Sequence, residues 1–216
     1  MIVNLLLGIP GERPGGLLLS ILTAAGSGAL AVVLGTVYAT VCVQAPRLSL
    51  GLQAALAVLR GVPLLLLVFV LAQGTGLPLP AAGFLALLLY SLCHVGEALR
   101  SFLAAYPAVL REQARVLGLG TGREWLQLRL PWTFRRSLDA LATHWISLLK
   151  DTGALIVVGI GELTTVAKVL SEQASISDWK LILASAALLY LATTVVLVQT
   201  LEFIKARYSL GGAEST

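Results

Sequence analysis

Twenty-seven consecutive residues, from Leu17 to Val43, carry no charged side chain. A helix of that length spans about 40 Å, more than the ~30 Å hydrocarbon core of a bilayer. Within lipid every backbone N–H and C=O must be satisfied inside the protein, so an isolated run of this kind has to be helical. A second charge-free run covers Leu181 to Leu201. The whole chain agrees with this reading. It is 57% hydrophobic and 12% charged, against about 25% charged in soluble domains, and its mean hydropathy is +0.90. An all-α integral membrane protein follows.

Five spans are expected, at about 17–43, 51–72, 81–104, 137–160 and 181–201, in a single transmembrane domain over residues 1–216. The second is interrupted by Arg60 and Pro63. Residues 1–16 form a short leader rich in Gly and Pro, with no basic start that would suggest a cleaved signal. Residues 161–180 are mixed and fit a surface or re-entrant helix, and 202–216 form a polar tail. Gly26, Gly28 and Gly35 would let the first span approach a neighbour closely.

Orientation follows from the basic residues. If the polar loop at 105–136 is cytoplasmic, ten Lys and Arg lie inside and three (Arg13, Lys168 and Lys180) lie outside. The N-terminus is then outside and Thr216 cytoplasmic. The net charge of +4 is spread over membrane-flanking loops and is no nucleic-acid footprint. Cys42 and Cys93 lie far apart in apolar segments and read as buried thiols, with no disulfide or metal-ligand spacing. No phosphate-binding G-x-x-x-x-G-K-[ST] occurs, so the chain carries no ATPase of its own.

The one long polar segment is Arg111 to Pro131, REQARVLGLGTGREWLQLRLP. Ala108 to Leu117 can form a helix, Gly118 and Gly120 can end it through positive φ, and Pro131 can open the next helix. Glu112-Gln113-Ala114, then Gly118 after three residues, then Leu128, one spacer and Leu130-Pro131 resemble the cytoplasmic E-A-A loop of ABC-importer permeases. Gln113 departs from it, since the family prefers Ala there. Four further stretches resemble polar amino-acid permeases: Arg60-Gly-Val-Pro-Leu-Leu65, Glu97-Ala-Leu-Arg100, Leu149-Lys-Asp-Thr152 and Gly159-Ile-Gly-Glu-Leu163. Val95, Gly153 and Val109-Leu110 depart from that pattern.

The resemblance implies a type I transmembrane domain and a non-enzymatic permease subunit in a bacterial cytoplasmic (inner) membrane. It implies as partners a second permease, identical or related, two ATPase subunits that hold ATP and Mg, and an extracellular or periplasmic substrate-binding protein. Residues Glu112, Gln113, Ala114, Gly118, Leu128, Leu130 and Pro131 would then form the ATPase-coupling loop. A permease for an osmolyte or other small solute, and a secondary transporter with Glu97 or Asp151 as proton carrier, are the competing readings. The Lys150-Asp151-Thr152 match argues against the first and the loop against the second.

The ionisable residues within spans need partners or water, because each costs on the order of 2.5–3.5 kcal/mol on insertion scales. Arg60 and Glu97 lie at similar depth and could pair between antiparallel helices. Tyr90, His94, Glu97 and Ser101 share one helix face, with Arg100 close by. On the fourth span, Thr143, Ser147 and Lys150 share one face and His144 and Asp151 another. Lys150 or Asp151 could pair with Glu162 or with a second permease subunit. These are the candidate path residues, and no metal site is among them. No helix-4 residue on the path-facing side is acidic, which favours neutral or acidic amino acids over arginine or lysine.

Overall fold

The computed structural model describes residues 1–11, 13–174 and 178–209. Residues 175–177 of the mixed segment and 210–216 of the polar tail lie outside the described residues. Helix α1 (Ile2–Leu7) leads through a two-residue hairpin, β1 (Gly8–Ile9) and β2 (Arg13–Pro14), into α2 (Gly16–Gln44). Then come α3 (Pro46–Arg60), α4 (Leu64–Gly74), α5 (Leu79–Ala104), α6 (Ala108–Val116) and α7 (Thr121–Glu124). A π-helical turn, Trp125–Arg129, joins α7 to α8 (Leu130–Asp151), which continues as a 3-10 segment, Thr152–Val158. Helices α9 (Leu163–Gln173) and α10 (Trp179–Ser209) complete the chain.

Among the described residues, four helical runs are long and apolar enough to cross a membrane: 16–44, 79–104, 121–158 and 179–207. The expected second span is not one helix. It is the pair α3 and α4, bent by 97° at Gly61–Pro63, and counting that pair as one span gives five. Pro63 is the cause, since it lacks the N–H of a continuing helix and its ring clashes with the preceding turn. The expected fourth span begins much earlier than residue 137. Its helical run starts at Thr121, so the second half of the polar loop is already part of it.

Helices α2 and α5 form the centre of the bundle. They touch where Gly35 meets Gly96: a Cβ on Gly35 would lie 3.1 Å from the Gly96 Cα. Two small residues facing each other bring the backbones into van der Waals contact, the main attraction available between helices in lipid. Around this contact sit Ala39, Val95, Leu99, Leu103 and Leu141 towards the loop end. At the opposite end Leu5 and Leu17 pack with Leu163, Val166 and Ile182 of α9 and α10. Both thiols are buried, Cys42 near the loop-side end of α2 and Cys93 midway along α5. Most of α10 is left uncovered by the rest of the chain.

Gly35→Val should therefore destabilise the bundle by about 1–3 kcal/mol through overpacking, while Gly51→Val, where nothing lies within 4 Å, should not. Thermal unfolding in detergent, followed by monodispersity on a sizing column, checks the pair.

Candidate functional site: a polar loop and a polar bundle interior

The loop folds as a helix, a stop and a second helix. Helix α6 is amphipathic: Ala114 is 1% exposed and faces inward, while Glu112, Gln113 and Arg115 face solvent. Gly118 ends it with φ +69°, and the Gly118 and Leu119 N–H groups donate to the Arg115 and Ala114 carbonyls at 3.0 Å. Gly120 differs from expectation. Its φ is −66°, extended, and it precedes α7 instead of closing α6.

Pro131 also differs: it opens no new helix after a break, because the chain is already helical on both sides of it. A proline inside a helix removes one bond and collides with the carbonyl four residues back. The π turn absorbs that conflict, with the Leu130 N–H reaching back five residues to the Trp125 carbonyl.

Between α6 and the start of α8 lies a cleft of about 350 Å³. Tyr106, Leu110, Ala114, Leu128 and Trp132 line it. Its floor is aromatic: Tyr106 and Trp132 meet edge-on at 5.5 Å, and the Arg129 guanidinium lies over Trp125 at 4.6 Å and over Tyr106 at 5.3 Å. Glu124 is buried beside them, 8% exposed. Burial, and then the Glu124 charge, hold the Tyr106 hydroxyl above its ordinary pKa. Leu130 is half-buried, and Pro131 and Leu128 are exposed at the rim. The result is a rigid, mostly apolar seat with exposed polar residues along α6.

Within the spans, the structure gives Glu97 a different partner from the one expected. Its carboxylate is held by Arg100, one turn along α5, through Nη2 at 2.5 Å and Nε at 2.9 Å. The Tyr38 hydroxyl of α2 donates to it at 3.5 Å. Arg60 is exposed at the end of α3, near enough for its charge to reach Glu97 but outside the ion pair. A partner at i+3 on the same helix needs no interhelical register.

His94 and His144 stack across α5 and α8, with ring centroids 5.4 Å apart and planes 14° from parallel. His94 Nδ1 donates to the Tyr90 carbonyl oxygen at 2.9 Å, and His144 Nε2 meets the Ser91 hydroxyl at 2.7 Å. Asp151 adjoins Tyr90 and His94 closely enough to act on both by charge, and its Oδ2 is buried without a hydrogen bond. The shared face of His144 and Asp151 is therefore realised, as a polar group with Tyr90 and His94. Thr143, Ser147 and Lys150 are all exposed on the other face of α8. Ser101 is exposed, apart from the histidines.

The residue that sequence reasoning misjudged is Glu162. It is 0% exposed, and neither Lys150 nor Asp151 supplies its partners. It caps α9, accepting from the Thr164 N–H at 2.8 Å and the Thr165 N–H at 2.7 Å. The Thr165 and Tyr190 hydroxyls donate at 3.0 Å each, and Ser20 at 3.5 Å. Beside it, the Gly16 N–H donates to the Gly161 carbonyl at 2.8 Å. The sequence signal was the glycine-broken Gly159-Ile-Gly161-Glu162 run followed by two threonines, a helix start with a carboxylate at its cap.

Glu162→Ala removes the shared acceptor of five donors and should cost about 3 kcal/mol or more, whereas Glu162→Gln keeps an oxygen and should cost less. Thermal unfolding in detergent separates the two.

A family profile described as "Binding-protein-dependent transport system inner membrane component" matches residues 31–209. The chain is 31% identical over 115 residues to the arginine ABC transporter permease protein ArtQ of Haemophilus influenzae, covering 53% of this chain and 51% of that one. It is 30% identical over 155 residues to the probable glutamine ABC transporter permease protein GlnP of Bacillus subtilis, covering 69% and 71%. It is 30% identical to the glutamate transport system permease protein GluC of Corynebacterium glutamicum, covering 66% and 70%. The chain thus spans about half the length of the arginine relative that it matches. Among solved structures, an amino acid ABC transporter crystallised with histidines gives a TM-score of 0.71 at 23% identity, covering 88% and 89%. An inward-facing MetNI methionine ABC transporter gives 0.73 at 17%, covering 92% and 95%. These two show the fold.

Proposed function

Because this chain belongs to the family of binding-protein-dependent transport system inner membrane components, we propose that it is the permease subunit of an ATP-driven importer of polar amino acids. The loop carries this reading. An exposed α6, stopped at Gly118 and backed by an aromatic cleft, is built to be gripped from outside, and its helical continuation runs directly into the membrane. A pull on Glu112, Gln113 or Leu128 is then delivered along α8 to His144, Lys150 and Asp151.

In this reading a second permease, identical or related, completes the path. Two separate ATPase subunits, holding ATP and Mg, grip the loops from the cytoplasm. A binding protein delivers the solute from outside. Substrate contact falls to the polar groups on α5 and α8, and no bond of the solute is broken by this chain. The relatives' printed substrates are arginine, glutamine and glutamate, which supports amino acids as the solute class. The α8 path face, Thr143, Ser147 and Lys150, offers hydroxyls and a cation, which suits neutral or acidic amino acids better than basic ones.

Orientation follows from the same assignment. The loop and the end of α10 lie together, since Lys205 of α10 bonds Asp139 of α8 at 2.9 Å, so both are cytoplasmic and the start of α2 is outside. Reporters fused after residue 209 should be active in the cytoplasm only, and periplasmic activity would reverse the topology.

Gly118→Val tests the function itself. Nothing lies within 4 Å of a Cβ there, so the whole effect is the left-handed backbone, which costs an L residue about 1–2 kcal/mol. The variant should insert and fold, yet lose ATPase attachment and ATP-driven uptake in vesicles. Normal uptake with full ATPase attachment would remove the docking role.

A further inference from the structure

On the side of α8 away from the histidines, a groove of about 360 Å³ opens between α8 and α10. Lys150, Ala187, Tyr190, Leu191 and Thr194 line it. A space of this size is within the range of small-molecule sites, roughly 300–1,000 Å³. Its walls are apolar except for three groups. The Tyr190 hydroxyl is already engaged with Glu162 and Thr164, which fixes its ring as one wall. Lys150 is exposed into the groove, and among the described residues it has no ion pair. Thr194 is the third. Elsewhere on α10, Thr193 and Thr200 return their hydroxyls to carbonyls one turn back, at 2.7 and 2.8 Å, while the Thr194 hydroxyl has no hydrogen bond. A turn about χ1 would present it to the groove.

We propose that this groove binds the α-carboxylate of the transported amino acid, with Lys150 as its cation and Thr194 as a donor. Charge is the first argument: a lysine within a span needs an anion or water, and the groove around it is otherwise uncharged. Position is the second. Thr143, Ser147 and Lys150 recur at i, i+4 and i+7 and all are exposed, so a hydrophilic stripe runs along α8 and ends at the groove. A face turned to acyl chains would be apolar there, as the exposed Leu188, Val195 and Val196 of α10 are. The stripe therefore borders water, and the groove is its outer terminus. Side-chain selection then falls to other groups, because the α-carboxylate is common to all amino acids.

The inference rests on the importer reading, but its test needs no ATPase and no binding protein. The full chain is placed in nanodiscs of phosphatidylcholine, and calorimetry compares glutamine, glutamate and arginine with their α-carboxamide counterparts. Wild type should prefer the acids by about tenfold or more, the scale of losing a charge-assisted hydrogen bond. Lys150→Gln should abolish the preference, and Lys150→Arg should keep part of it. Thr194→Val, which preserves shape, should weaken the acids about two- to tenfold and leave the amides unchanged. Equal preference in wild type and Lys150→Gln overturns the proposal. So does a lysine effect that appears only when phosphatidylglycerol is present, since the occupant is then a lipid phosphate. Wild type that binds no amino acid also overturns it. Failure of the importer reading shows separately, as absence of ATP-driven uptake in wild type.

Discussion

A carboxylate buried among membrane helices must be surrounded by donors or it destabilises everything around it. The half of this protein away from the loop is arranged to supply them to Glu162. Ser20 comes from α2, Thr164 and Thr165 from α9, and Tyr190 from α10. The backbone contact between Gly16 and Gly161 closes the same knot. Three elements far apart in sequence thus meet at one side chain, and Leu5, Leu17, Leu163 and Ile182 seal it from the lipid side. A single anion with neutral partners avoids the desolvation of a second charge that an ion pair would require.

The half at the loop is held differently. Contacts there are between small or aromatic groups, such as Gly35 on Gly96 and the Arg129 guanidinium between Trp125 and Tyr106. Charge pairs are local or at the margin: Arg100 with Glu97 one turn away, and Lys205 with Asp139 and Glu202 near the end of α10. One end of the bundle is therefore a hydrogen-bonded knot and the other a packed, aromatic cradle.

The charge-free runs made α2 and α10 legible, because hydrocarbon permits no alternative to a helix there. The faces of α8 were legible too: a 3.6-residue period separates Thr143, Ser147 and Lys150 from His144 and Asp151, and the structure keeps them apart. Three features were not. Glu97 was matched by depth with Arg60, and depth ignores the nearer Arg100 on its own helix. Pro131 was treated as a helix start, whereas a π turn lets the helix run through it. Glu162 was read as a charge seeking a charge, when its partners are neutral hydroxyls and amides that composition does not reveal.

That π turn has a geometric consequence. It holds one residue more per turn than an α-helix, so it offsets everything before it by about 100° around the axis relative to everything after it. Helices α6 and α7 lie before the offset, and Ser147, Lys150 and Asp151 after it. The phase between the loop helices and the residues of α8 is thus written in the length of Trp125–Arg129. Losing or gaining one residue there would leave both surfaces intact and turn them out of step.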